Sequence, residues 1–225
     1  MIYVNGDSWT CGIPEKDSIK HPEFIWPYTL SKKLNEPVVI EARAGTSNHR
    51  IYRRTFDFLL TNKPKIAIVC LTRWERIELG NAETGKIHQY MPHRQPSYFK
   101  KDWHPYLAYT NFLRHIISLQ NIAVQHNVNL YFLDTHNNNL ERTPTITWFM
   151  DILRKSRAFA QMDDERIAQK FSKVEKLSTY INYDNFISNL SYIDLVNKFK
   201  MVDGHPDESG HTYMAELIYN YIQRK

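Results

Sequence analysis

No apolar run in this 225-residue chain is long enough to span a bilayer. The mean hydropathy of −0.53 argues the same way, so a membrane-embedded protein is not expected. Cysteine is scarce. Cys11 and Cys70 are the only two, each near the end of an expected strand, and two thiols make no disulfide framework. They read as small buried residues in a reducing compartment. A dense basic run is also missing. The 29 Lys and Arg exceed the 24 Asp and Glu by a net +5 spread along the sequence, so nucleic acid is not an indicated partner. There is no His-Glu-x-x-His and no cysteine cluster, and His88 and His93 lack ligand spacing, so no metal is expected. Gly-x-Gly-x-x-Gly and the phosphate-loop lysine motif are absent too, which leaves no support for a nucleotide cofactor, and none of any kind is expected. No signal segment is expected before the first strand. The expected location is cytoplasmic, and a phage-encoded origin would read the same. Internal repeats are lacking, and the only low-complexity stretch is Asn137-Asn138-Asn139.

What is there suits one domain over residues 1–225, with 42% hydrophobic and 13% aromatic residues to fill a core. Met1-Ile2-Tyr3-Val4 reads as a short buried strand. Trp26 to Leu34 has helical spacing, Pro37 to Ala42 is β-branched, His49 to Leu60 is helical again, and Lys65 to Leu71 is a continuous apolar strand. This alternation predicts a parallel α/β sheet with helices on both faces. Arg73 to Asp102 has little periodicity and reads as an excursion from the sheet's C-terminal edge, with 73–104 as a lid or insertion. A helix over Tyr106 to Gln125 and a strand over Val128 to Leu133 follow. Thr143 to Phe171 reads as helix with loops, Tyr180 to Phe199 is ambiguous, and an amphipathic helix from Glu208 to Ile222 closes the chain.

The first strand stops at Gly6-Asp7-Ser8, a turn with a hydroxyl at its tip, where open α/β sheets bind ligands. Ser8 is a candidate nucleophile that needs a base and an oxyanion site. Before the last helix sits Asp203-Gly204-His205-Pro206, an imidazole two residues from a carboxylate. His205 suits the base and Asp203 its orienting partner. Asp207 or Ser209 suits the cap of the following helix. Ser47 is a rival nucleophile, but His49 stands where the Gly-x-Ser-x-Gly elbow needs glycine, so capping by Ser47 or Thr46 is preferred. His211 reads as structural. Trp74, Tyr90, Tyr98, Phe99, Trp103 and Tyr106 read as core or lid packing before a sugar platform.

Gly-Asp-Ser after the first strand, with Asp-x-His-Pro before the last helix, resembles the SGNH (GDSL-type) hydrolases. The resemblance covers the whole chain. It implies a flavodoxin-like three-layer α/β/α sandwich with a central parallel sheet, and an esterase, lipase or acyltransferase chemistry without cofactor. It implies Ser8 as nucleophile with its own N–H as an oxyanion donor, and His205 and Asp203 as the remainder of the triad. Most members place two residues between Asp and His, and this chain places one. Gly45 is at the place of the family's second-block glycine, whose N–H faces the oxyanion. The third block, Gly-x-Asn-Asp, is missing, because the third strand runs into Leu71-Thr72-Arg73-Trp74-Glu75-Arg76. Asn48 could supply the lost amide, or Thr72 or Arg73 could occupy its place. Thr72, Arg73 and Arg76 are also candidate substrate contacts, although Arg73, Arg76, Glu75 and Glu78 equally fit a surface ion-pair patch. The pattern is similar to SGNH-like proteins of phage. Two expectations follow. One is a serine esterase acting on a short-chain ester of a small molecule or carbohydrate, with acyl transfer as a variant of the same mechanism. The other is a binding or structural module, such as a phage accessory protein, that keeps the scaffold without catalysis.

Overall fold

The computed structural model describes residues 1–12, 22–80, 84, 87–91, 94, 97–98, 103–136, 163–187, 195, 197–199, 201–202 and 204–225. Four strands, β1 (Ile2–Asn5), β2 (Val38–Ile40), β3 (Ile66–Cys70) and β6 (Asn129–Leu133), form one parallel sheet in the order β2-β1-β3-β6. Parallel neighbours need crossovers, and helices supply them. These are α2 (Trp26–Leu34), α3 (Asn48–Thr61) and α4 (Pro105–Gln125). Further helices are α1 (Ser8–Cys11), α5 (Asp164–Ser178) and α6 (Glu208–Gln223).

The strands are apolar on both sides, and alternate residues feed two cores. Tyr3, Ala67, Val69, Leu130 and Phe132 point to one face, where they join Ile51 and Leu59 of α3, Phe112, Leu113 and Ile116 of α4, and Phe171 and Val174 of α5. Ile2, Val4, Ile66, Ile68, Cys70, Tyr131 and Leu133 point to the other, against Trp26 and Leu30 of α2 and Met214, Ala215 and Ile218 of α6. The result is a flavodoxin-like α/β/α sandwich. Among the described residues no helix is long and apolar enough to cross a membrane.

Local chemistry fixes the ends. Ser47 caps α3, accepting the Arg50 N–H at 3.3 Å, and Asp207 caps α6, accepting the Gly210 N–H at 2.9 Å. Asn35 ends α2 in the left-handed region at φ 51°.

Two stretches differ from the sequence reading. The irregular excursion after β3 contains an antiparallel pair, β4 (Ile77–Gly80) and β5 (Ile87–Tyr90), with Ile77 opposite Tyr90. Each strand has only four residues, too few for a clear period. In the ambiguous stretch, a 3-10 turn at Tyr183–Asn185 leads to Phe186, which bridges Phe132 in parallel. The Ile187 N–H donates to the Phe132 carbonyl at 2.9 Å. This contact sits beside β6, on the far side from β3. Residues 143–162 of the expected helical region lie outside the described residues. Trp74 is core, 5.4 Å from both Trp103 and Tyr109 ring to ring, and Tyr90 packs on Tyr98 at 5.0 Å. Phe99 is outside the described residues.

Candidate active site

The site gathers at the C-terminal ends of the parallel strands. β1 runs into Gly6, where a Cβ would collide with the Thr10 hydroxyl and stand 2.7 Å from Cys70 Cβ, so only glycine lets the turn close on β3. Asn5 buttresses it from below, with its side-chain oxygen accepting the Gly6 N–H at 2.8 Å and its amide donating to the Ile51 carbonyl at 3.1 Å. Asp7 then caps the single-turn helix α1, accepting the Trp9 N–H at 3.0 Å. Ser8 is the first residue of that turn. Its N–H is one of the donors a helix start leaves unpaired, and it has no partner among the described residues.

The base comes from the other end of the chain. Two short antiparallel strands, β7 (Met201–Val202) and β8 (His205–Pro206), place Val202 opposite His205, and Gly204 turns between them at φ +76°. This brings His205 Nε2 to 2.7 Å from Ser8 Oγ across 197 residues. With a proton on Nδ1, the ring accepts the serine O–H, the arrangement a general base needs. Asp203 lies outside the described residues.

Beneath Ser8 the Asp7 carboxylate is 1% exposed and fully engaged. Its second oxygen accepts the Thr72 hydroxyl at 2.8 Å, His136 Nε2–H at 2.7 Å and Arg76 Nη1–H at 3.3 Å. Arg76 also donates to Thr72 Oγ1 at 2.7 Å, so the threonine hydroxyl accepts from one group and donates to the other. Burial alone would raise the Asp7 carboxyl. The charges and hydrogen bonds of His136, Arg76 and Thr72 outweigh it and hold the group well below the usual carboxylate range. A buried anion is therefore balanced in place.

The loop after β2 closes the site's second side. The Arg43 N–H donates to the Gly6 carbonyl at 3.0 Å, which lays this loop against the serine turn. Gly45 follows at φ +72°, and a Cβ there would be 3.1 Å from Met91 Cε. Asn48, 3% exposed, exchanges two bonds with the Thr72 backbone. Its amide donates to the Thr72 carbonyl at 2.7 Å and its oxygen accepts the Thr72 N–H at 3.0 Å. That fixes the orientation of the amide and leaves it one further hydrogen.

Of the residues singled out from sequence, Ser8 and His205 meet, and Asn48, Thr72 and Arg76 stand round Asp7 and the serine turn. Thr72 is wholly buried, with its hydroxyl on Asp7, whereas Arg73 is exposed. His211 is also wholly buried, its Nδ1 accepting the Trp26 N–H at 3.4 Å, and does not reach the serine turn in any described contact. Glu78 pairs with Arg53 at 3.2 Å. His136 was not anticipated. Its signal is position, because it follows β6 at the same sheet edge as Ser8 after β1 and Thr72 after β3. The ring of Trp9 lies 5.5 Å from it.

No family model matches the sequence, and no curated protein matches it. Solved structures do resemble it in three dimensions. A catalytic mutant of Axe2, an acetylxylan esterase from Geobacillus stearothermophilus, superposes at a TM-score of 0.55 and 12% identity, over 98% of this chain and 93% of that one. The psychrotrophic esterase EstA from Pseudoalteromonas sp., in a structure inhibited by monoethylphosphonate, gives 0.52 and 11% over 99% and 96%. The acetyl xylan esterase AlAXEase gives 0.50 and 13% over 99% and 100%. These neighbours are esterases, and the architecture shared with them, a parallel β2-β1-β3-β6 sheet between two helical layers, is the SGNH-hydrolase fold.

Proposed function

We propose that the chain is a serine esterase that removes a short acyl group, such as O-acetyl on a carbohydrate. The observation that carries this reading is the 2.7 Å contact of His205 Nε2 with Ser8 Oγ at the mouth of the sheet. Ser8 Oγ attacks the ester carbonyl as His205 takes its proton, and Asp203 holds the imidazolium. The Ser8 and Gly45 N–H groups, with the remaining Asn48 amide hydrogen, receive the oxyanion. His205 then protonates the departing alcohol, leaving an acyl-serine. A water that gives its proton to His205 attacks this ester, and the proton returns to Ser8 as the acid leaves. Another alcohol in place of water gives acyl transfer. Segment 73–104 serves as the lid, with Met91 against Gly45 supporting that assignment.

Wild-type protein is expected to hydrolyse p-nitrophenyl acetate and to be labelled by a fluorophosphonate. Ser8→Ala and His205→Ala should each lower kcat by roughly 10⁴-fold or more, and Ser8→Ala should end labelling. A folded wild type that neither hydrolyses nor labels would overturn the reading. It would favour the second one, a non-catalytic binding or structural module on the same scaffold. What favours that alternative is Asn48, whose amide is already committed to the Thr72 backbone where the family's third-block asparagine is missing.

A further inference from the structure

Resting on the esterase reading, we infer that the substrate is an anionic ester, one whose alcohol carries a carboxylate or phosphate close to the scissile bond. The ground is a set of three arginines round the mouth, Arg43, Arg73 and Arg94. Each is exposed, and none has an ion-pair partner among the described residues. Other arginines are ion-paired, while Arg50 donates to the Glu41 backbone carbonyl at 3.2 Å. Arg53 meets Glu78 at 3.2 Å, Arg54 meets Glu41 at 2.5 Å and Arg76 meets Asp7 at 3.3 Å.

The three reach the mouth from separate segments. Arg43 follows β2, and its N–H is bonded to Gly6 of the serine turn at 3.0 Å. Arg73 follows β3, next to the Thr72 that holds Asp7. Arg94 follows β5, its N–H bonded at 3.1 Å to the carbonyl of Met91, the side chain that packs on Gly45. Their fields overlap. Burial, Arg73 and Arg94 together push the Arg76 guanidinium below its ordinary value against the pull of Asp7 and Glu75. Arg43 acts on Arg50 in the same sense. Among the described residues the carboxylates facing Arg76 are few. Asp7 is buried and already balanced by Arg76 and His136, which leaves Glu75 as the described acid facing Arg76.

Like charges gathered round one site repel one another, and a bound anion relieves the repulsion while the field draws it in. Guanidinium forks match carboxylate and phosphate oxygens in pairs. The short acyl group of the proposed reaction has no room for a charge, so the charge belongs on the alcohol.

The test uses Ser8→Ala protein, which binds without turnover. Calorimetry compares O-acetylated glucuronic acid with its methyl ester, and O-acetylated glucose 6-phosphate with O-acetylated glucose. The charged member of at least one pair is expected to bind about tenfold more tightly, since each of three exposed ion contacts adds modestly. The preferred pair tells carboxylate from phosphate. The gap should shrink at about 0.5 M salt, and Arg43→Gln, Arg73→Gln and Arg94→Gln on the Ser8→Ala background should each narrow it. Equal binding of charged and neutral partners overturns the inference. A wild type that labels with fluorophosphonate while Ser8→Ala shows no charge preference loses this inference alone. A wild type that never labels, beside a Ser8→Ala protein that prefers the anion, loses the esterase reading and keeps the anion site.

Discussion

Thr72 shows how much one side chain can hold. Its hydroxyl donates to Asp7 at 2.8 Å and accepts from Arg76 at 2.7 Å, while its backbone is clasped by Asn48. Thr72→Val keeps the shape and removes the hydroxyl, leaving a buried carboxylate one donor short. The expected cost is about 1–3 kcal/mol, read as a lower urea midpoint with an unchanged m-value. An unchanged midpoint would mean that water replaces the hydroxyl at no cost. Asn48 asks a different question. If its second amide hydrogen meets the oxyanion, Asn48→Ala should lower kcat by roughly 10²–10³-fold with KM held. A clamp with no part in the reaction would instead lower the urea midpoint and leave kcat per folded molecule near wild type.

At the scale of elements, the serine turn depends on a glycine that is there for space. A Cβ on Gly6 meets the Thr10 hydroxyl and, at 2.7 Å, Cys70 Cβ, both on rigid elements. Gly6→Ala must push α1 away from β3, so the expected destabilisation is about 1–3 kcal/mol, as for overpacking generally. It should also weaken fluorophosphonate labelling more than Thr10→Ala, which opens the same contact. If Gly6→Ala labels at the wild-type rate, the turn is not fixed by this packing. The elements themselves were readable to different degrees. The run Lys65 to Leu71 announces a buried central strand because both its faces meet helices, and α2 spans Trp26–Leu34 as its spacing requires. The β4–β5 pair was not readable, since Ile77–Gly80 and Ile87–Tyr90 each offer too few alternations. In the site, Ser8 and His205 carry local signals, a Gly-Asp-Ser turn and a Gly-His-Pro turn. His136 carries none. Its contact with Asp7 joins residues 129 apart, and only the sheet's return to the same edge makes it.

The molecule as a whole is expected to respond to pH through histidines the site does not use. His211 is wholly buried where α6 packs on α2, with Nε2 lacking a partner among the described residues. Burial pushes its pKa down from 6.5 to about 4, with Asp207 opposing and His205 assisting. His115, stacked on Tyr52 and edge-on to His49, is pushed down to about 3, first by burial and then by His49. The unfolded chain binds these protons near pH 6.5, while the fold resists them until far lower. Stability from His211 is therefore complete above pH 6.5 and is lost as the pH falls toward 4. The full difference corresponds to about 3 kcal/mol for His211, at about 1.4 kcal/mol per unit. Asp7 works in a lower window. Its folded value is depressed, so its contribution is present above the ordinary carboxylate range and is lost as the pH falls from that range down to the folded value. Urea midpoints should thus decline between about pH 7 and pH 4.5, before Asp7 is protonated. His211→Asn can keep an acceptor for Trp26 and removes the titration, so its midpoint should be lower near neutrality and should decline less steeply. A midpoint in the wild type that is flat over this range, or a variant slope equal to the wild type's, would show that these buried imidazoles do not set the acid response.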